Sequence, residues 1–142
     1  HVIVADAAEG IAASLRAGIA ALCAGDGKGH PAAVLVLLAD LPEIGAAELA
    51  TMIAAWAAAP LGASLRATTG TGERGHPVIL PARLFAEVAR LRGDGGASAI
   101  LQAEGAGTIA VPLPGRRALT DLDTPAAWAA WRARRGEQQE RG

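Results

Sequence analysis

The sequence predicts an α/β domain in which helices cover both faces of a mainly parallel sheet. Strand-like apolar runs alternate along the chain with stretches whose apolar residues repeat at helical spacing. The stretch Val34 to Pro42 starts with an unbroken apolar run, which is typical of a strand buried on both faces. At 142 residues, 51% of them hydrophobic, the chain has the size of one domain with its own core. Residues 1–135 form the predicted domain and 136–142 a polar tail.

The individual helices and strands follow from residue spacing. Ile11, Leu15 and Ile19 share one face of the first helix, and Pro60 limits the second. The predicted helices are Gly10 to Cys23, Ala46 to Ala58, a helix marked by Leu84, Phe85, Val88 and Leu91, Ala97 to Gln102, and a last helix with Trp128 and Trp131. The predicted strands are His1 to Ala5, the run from Val34, Ala63 to Thr68, Val78 to Leu80 and Thr108 to Pro112.

Composition and charge exclude several classes of function. The formal net charge of −1 argues against a nucleic-acid surface, and the basic cluster Arg132, Arg134 and Arg135 is typical of a solvated helix end. No apolar stretch reaches the roughly 20 residues that span a bilayer. No signal-like core follows the first residues, so the cytoplasm is the expected location. Cys23, set among Ala and Leu, is predicted to pack on a helix and to have no chemistry.

Asp40 is the first candidate for a functional residue. It directly follows the apolar run and precedes Pro42 and a helical pattern. This position is the carboxyl edge of the sheet, where open α/β folds bind their ligands. The alternative is that Asp40 only caps or turns the chain before the next helix.

A second carboxylate cluster, Asp121 and Asp123, precedes the last helix. If it is brought to the same sheet edge as Asp40, the carboxylates form an oxygen-ligand site that suits Mg²⁺, and Mg²⁺ suits a nucleotide phosphate. The alternative is a simple helix start, with Asp123 or Thr124 as the N-cap and Pro125 in the first turn.

A Gly-rich segment, Gly70 to Gly75, leads to His76 and Pro77. Its glycine content is typical of a binding loop whose backbone closely approaches a ligand. The alternative is that His76 is only a turn residue, as we expect for His30 in a second Gly-His-Pro. Lys28 does not mark a phosphate-binding P-loop, because no Ser or Thr follows it and the next element is a strand.

Five motifs stand in order along the chain. They are Glu9-Gly10 with Ser14-Leu15-Arg16-Ala17-Gly18, Leu38-Ala39-Asp40-Leu41-Pro42, Gly75-His76-Pro77-Val78, Gly93-Asp94-Gly95-Gly96-Ala97, and Asp121-Leu122-Asp123-Thr124-Pro125. Together they resemble the MobA-like nucleotidyltransferases, and most closely the molybdenum cofactor cytidylyltransferases, over essentially the whole chain. The resemblance implies a three-layer Rossmann-like domain. It also implies a Gly-rich N-terminal segment that grips the triphosphate. The sequence lacks this segment, so we expect an N-terminally truncated domain without two sheet strands, which binds CTP poorly and by itself turns over little or nothing.

The same resemblance implies a reaction. CMP would pass from CTP to the terminal phosphate of a molybdopterin-type cofactor, with release of pyrophosphate. Asp40 would hold Mg²⁺, and Asp123, or Asp121 in its place, would be the second carboxylate, so that Asp40 and Asp123 are the implied catalytic residues. The other implied binding residues are Gly10 and Ser14 near the nucleotide base, Leu41 and Pro42 after Asp40, and Gly75, His76 and Pro77 beside the acceptor.

Two alternatives remain open. The first is nucleotidyl transfer to another phosphorylated acceptor, or a maturation factor for molybdenum hydroxylases on the same fold. The second is a non-catalytic remnant whose exposed sheet edge binds a partner chain. The partners expected for the cytidylyltransferase are CTP, the cofactor and a molybdenum hydroxylase or its chaperone, with no nucleic acid and no membrane.

Overall fold

A computed structural model describes residues 1–25, 29–94 and 96–139 of the chain. These residues form an α/β domain, as predicted. Its helices are α1 (Ile11–Ala24), α2 (Ala46–Ala58), α3 (Phe85–Val88), α4 (Gly96–Glu104) and α5 (Pro125–Gln139), and its strands are β1 (Ala33–Val36), β2 (Ser64–Thr68), β3 (Arg74–Pro81) and β4 (Thr108–Pro112). Lys28, Gly95 and the end of the polar tail lie outside the described residues.

The strands form one mixed sheet in the order β1-β3-β2-β4. Strand β3 pairs antiparallel with both β1 and β2, whereas β2 and β4 pair in parallel. Strands β1, β2 and β4 therefore point the same way, and β3 runs against them. The carboxyl ends of these three strands and the start of β3 consequently share one edge of the sheet.

Helices pack on both faces of the sheet, which gives the three expected layers. Successive side chains of a strand point to opposite faces, so Ile79 joins one core while Val78 and Leu80 join the other. The first core consists of Leu41, Ile44, Met52, Leu65, Ala67, Ile79, Val111, Leu113 and Ala118, and the second of Ile19, Val78, Leu80, Leu84, Val88, Ala97, Ile100 and Leu101. The first therefore lies under α2, and the second under α1, α3 and α4.

The start of α2 is tied to the chain that follows β4. The carboxylate of Glu48 accepts a 2.9 Å hydrogen bond from the backbone N–H of Gly45, which satisfies one of the free donors at the helix start. Arg117 donates to the same carboxylate. The Gly45 hydrogen bond, followed by that from Arg117, lowers the pKa of Glu48 below its ordinary value. The short 3₁₀ turn Arg117–Leu119 is thereby held against α2.

Three predictions of local structure are wrong. His1 to Ala5 is not a strand, because no strand among the described residues lies beside it to pair its backbone, and Ile3 is 89% exposed. Strand β1 ends at Val36 and is half-buried at the edge of the described sheet, not buried on both faces. The strand predicted for Val78 to Leu80 begins earlier. Gly75, His76 and Pro77 belong to it, because β3 pairs with β2 from Arg74 onward.

The described residues include the basic cluster and Cys23. None of their helices is long and apolar enough to cross a bilayer. Arg132, Arg134 and Arg135 are exposed on α5, and the guanidinium of Arg135 lies 5.0 Å from the ring centre of Trp131. Cys23 is half-buried and packs against the second core.

Candidate functional site

The candidate residues gather at the sheet edge where β1, β2 and β4 end. Asp40 follows β1 by four residues, and Gly75 and His76 are at the start of β3. Because β3 is antiparallel to its neighbours, its first residues lie beside the last residues of β1 and β2. The topology thus joins two motifs that are separate in the sequence.

A backbone hydrogen bond joins the two carboxylate segments. The N–H of Leu122 donates to the carbonyl oxygen of Asp40 at 3.0 Å, and the Leu122 side chain is buried at 7% exposure. This contact fixes Asp121 and Asp123, the two neighbours of Leu122, next to Asp40. The Oδ1 atom of Asp40 is buried and has no hydrogen-bond partner among the described residues.

The start of α5 separates the roles of Asp123 and Thr124. The hydroxyl of Thr124 accepts a 3.1 Å hydrogen bond from the N–H of Ala127, so Thr124 caps the helix. Asp121 and Asp123 are both exposed to solvent. Of the two N-caps predicted from the sequence, Thr124 is therefore the one that forms, and the carboxylate of Asp123 is left for another role.

The fit of this site to a metal ion rests on two segments. Among the residues that the structure describes, no three His, Cys, Asp or Glu side chains converge as a metal-binding group. Mg²⁺ does not require such a group, because it commonly binds through one or two carboxylates and completes its shell with water and substrate phosphates. The unpartnered Oδ1 of Asp40 and the exposed carboxylate of Asp123 or Asp121 match that requirement.

His76 is held in a small cavity of about 90 Å³ between α1, the end of β1 and the start of α4. Asp94 and Ser98 also line it. Burial lowers the pKa of His76, as does the charge of Arg66, while the backbone of Val36 and the charge of Asp40 act in the opposite direction. The net effect favours the neutral imidazole, and its Nδ1 has no partner among the described residues.

Gly75 and Gly10, two of the predicted binding residues, lie in close contact with other segments of the protein. A Cβ at Gly75 would lie 2.1 Å from the carbonyl oxygen of Ala118, and a Cβ at Gly10, whose φ is +95°, would lie 2.2 Å from Oδ1 of Asp94. Both positions therefore require glycine for packing, whatever contact they make with a ligand. Pro77 is fully buried and follows His76 through a cis peptide bond.

Ser14 lies at the second cavity of this region. That cavity, of about 300 Å³, runs between α1 and the chain from Val34 to Leu38. It shares four lining residues with the His76 cavity, namely Ile11, Leu15, Val36 and Leu38. Ser14 and His76 thus line adjoining cavities, which we call the groove. Leu41 instead belongs to the first core, and Pro42 is half-buried beside it.

Sequence reasoning missed Arg66 and Arg74. Arg66 is inside β2, only 8% exposed, and Arg74 is the first residue of β3. A charged residue in the middle of a predicted buried strand was the available signal, because arginine is almost never fully buried without a partner.

The chain matches a known protein family, in agreement with its fold and its motifs. Residues 1–108 match the family described as the MobA-like NTP transferase domain. The chain belongs to that family. The match confirms the resemblance drawn from the motifs at the level of the family. A comparison with curated proteins finds no match.

Solved structures of mycobacterial proteins share the fold of this family member. Rv0371c from Mycobacterium tuberculosis H37Rv is 25% identical with a TM-score of 0.66, and the match covers 84% of this chain and 58% of that one. A homolog of Rv0371c from Mycobacterium sp. strain JC1 is 23% identical with a TM-score of 0.65, covering 84% and 56%. A complex of Rv0371c with manganese is 24% identical with a TM-score of 0.64, covering 82% and 57%. The chain thus spans less than two thirds of the length of these structures.

Proposed function

We propose that the protein transfers CMP from CTP to the terminal phosphate of a molybdopterin-type cofactor and releases pyrophosphate. Membership of the MobA-like NTP transferase domain family supports nucleotidyl transfer. The observation that carries the proposal is the hydrogen bond from Leu122 to Asp40, since it joins two carboxylate segments at the ligand-binding edge of the sheet. The motif resemblance supports the cytidylyl and molybdopterin parts of the proposal.

Mg²⁺ is the proposed cofactor, with Asp40 and Asp123 as its ligands and Asp121 as an alternative for the second position. The buried, unpartnered Oδ1 of Asp40 supports this assignment. The manganese complex of Rv0371c supports a divalent ion of the same class. When bound, such an ion neutralises charge that builds up on the phosphates during transfer.

The remaining residues act by binding and orientation. A phosphate acceptor is already ionised at neutral pH, so its in-line attack on the α-phosphorus needs no general base. His76, neutral because burial and Arg66 lower its pKa, is proposed to hydrogen-bond the acceptor through Nδ1. Ser14, exposed at the other end of the same groove, is proposed to contact the cytosine. The chemistry is therefore chiefly positioning and electrostatics.

The proposed setting is the cytoplasm, and a molybdenum hydroxylase or its chaperone is the proposed recipient of the product. Another phosphorylated acceptor would suit the same groove. Exchange of the acceptor in the assay below distinguishes the two.

The test is pyrophosphate release by a form of the protein that carries a Gly-rich nucleotide-binding segment supplied by a MobA-like relative. We expect release with CTP, Mg²⁺ and the cofactor, and a loss of about 100-fold or more in Asp40→Asn. Asp6→Asn, which also removes a carboxylate but at an exposed position outside the five motifs, is the matched control. Equal rates for Asp40→Asn and the control would refute the assigned role of Asp40.

A further inference from the structure

Arg66 is a buried cation that contacts no ligand in the proposed reaction, although its charge lowers the pKa of His76. Its side chain leaves β2 on the face covered by α4, where Nη2 donates a 2.8 Å hydrogen bond to Oγ of Ser98. Its Nε is buried and has no partner among the described residues. One hydrogen bond to a hydroxyl is little compensation for a guanidinium that is only 8% exposed.

No carboxylate of the described residues pairs with Arg66 or with Arg74. The ion pairs of this part of the chain join Arg16 and Arg92 to Glu9, Arg83 to Glu104, Arg116 to Glu73, and Arg117 to Glu48. Burial lowers the pKa of Arg66, and the charge of Arg74 lowers it further. Two like charges are thus kept close together, one of them away from water, which is unfavourable unless an anion joins them.

A cavity of about 240 Å³ opens between these two arginines. It lies over β2 and β4, and Thr68, Gly72, Leu101 and Thr108 also line it. The hydroxyl of Thr68 adds a further donor to the two guanidinium groups, and no carboxylate lines the cavity. A planar guanidinium binds the paired oxygens of a phosphate through two parallel hydrogen bonds.

We propose that this cavity, lined by Arg66 and Arg74, is a binding site for a phosphate-type dianion. Arg66 contributes its fixed Nε edge, and Arg74, which is exposed, closes on the ligand from the solvent side. The site is distinct from the carboxylate site but adjoins it, because His76 is near enough to both Arg66 and Asp40 to feel the charge of each.

Two compounds of the proposed reaction carry a phosphate-type dianion. One is the acceptor, through its phosphate, and the other is the product pyrophosphate. This choice rests on the proposed function, whereas the presence of the anion site does not.

The experiment is thermal unfolding of the chain with increasing inorganic phosphate, at an ionic strength held constant with sodium chloride. A ligand that binds only the folded state raises the melting temperature. We expect a rise of a few degrees with wild type and a binding constant weakened about tenfold in Arg74→Gln. Arg90→Gln, which removes an exposed arginine two residues after α3, is the matched control and should behave as wild type. The absence of a phosphate-dependent rise in wild type, or an equal rise in Arg74→Gln, would overturn the proposal.

A second variant separates ligand binding from a purely structural role. Arg66→Met removes the buried charge, so we expect an unchanged or higher melting temperature without phosphate and no rise when phosphate is added. A lower melting temperature with the phosphate-dependent rise retained would show that Arg66 serves only to hold Ser98, against the proposal. Phenyl phosphate and pyrophosphate, compared in wild type, then assign the site: the stronger ligand identifies the acceptor or the product as the source of the group. Either assignment supports the anion site.

Discussion

Gly75→Ala should disturb both the stability of the fold and the geometry of the carboxylate site. A Cβ at position 75 would lie 2.1 Å from the carbonyl oxygen, 2.7 Å from the carbonyl carbon and 2.9 Å from the Cβ of Ala118. The shortest of these contacts falls about 1.3 Å short of the 3.4 Å at which ordinary van der Waals contact begins. Two of these atoms belong to the backbone and the third is the Cβ of an alanine, so no side-chain rotation relieves the overlap.

The loss of stability in Gly75→Ala depends on how far β3 and the segment around Ala118 must separate. Separation of β3 from the turn Arg117–Leu119 should cost about 1–3 kcal/mol, the usual range for an overpacked core. For a chain of this size that corresponds to a fall of roughly 3–10 °C in melting temperature. The same displacement moves Leu122, which follows the turn and donates to Asp40, so divalent metal binding should weaken as well.

Thermal unfolding of Gly75→Ala measures the first effect, and Gly70→Ala is the matched control. A Cβ at Gly70 meets no atom within 4 Å, and its φ lies outside the positive range, so the control should unfold within about 2 °C of wild type. A Gly75→Ala protein as stable as the Gly70→Ala protein would refute the close approach of β3 to Ala118.

Three further predictions concern packing, helix capping and pH. Met52→Ala, at a fully buried position of the first core, should lower the free energy of unfolding in urea by about 2–5 kcal/mol. Ile53→Ala, at a 57% exposed position, should lower it far less, and equal losses would contradict the packing of α2. Thr124→Ala should cost about 1 kcal/mol through loss of the cap of α5, and a neutral result would show that the cap does not form in solution. Burial and Arg66 lower the folded-state pKa of His76 below its ordinary value of 6.5, so the unfolded state binds more protons. The contribution of His76 to stability is therefore complete above about pH 6.5 and is lost as the pH drops through the folded-state pKa. His76→Gln should flatten the pH dependence of the free energy of unfolding in urea between about pH 7.5 and 5.5, and an unchanged slope would exclude this contribution.

Local patterns predicted most of the secondary structure. The predicted helix Ala46 to Ala58 and strand Thr108 to Pro112 match the structure residue for residue, because their apolar spacing and their flanking Pro and Gly residues are local signals. The predicted strand at His1 to Ala5 and the predicted start of the strand at Val78 were wrong for a common reason. Strand formation depends on a neighbouring strand, and a single sequence does not show which strands pair.

The site was predictable only where a motif marked it. Asp40 follows an apolar run and Asp123 precedes a helix, so each could be selected from its own neighbours in the sequence. The Leu122 hydrogen bond that joins them is long-range and could not be inferred from spacing. Arg66 was missed because its significance depends on the packed domain, in which no carboxylate lines its cavity and Glu104 of α4 pairs with Arg83 instead.

The carboxylate site is tested most directly by Mn²⁺ binding, followed by electron paramagnetic resonance of the free ion. We expect wild type to bind Mn²⁺, Asp40→Asn and Asp123→Asn to bind about tenfold more weakly or worse, and the exposed control Asp6→Asn to bind as wild type does. If Asp123→Asn is unaffected and Asp121→Asn is weakened instead, Asp121 is the second ligand. Undiminished Mn²⁺ binding by Asp40→Asn would contradict the placement of the metal at the carboxyl edge of the sheet, and with it the proposed nucleotidyl-transfer site.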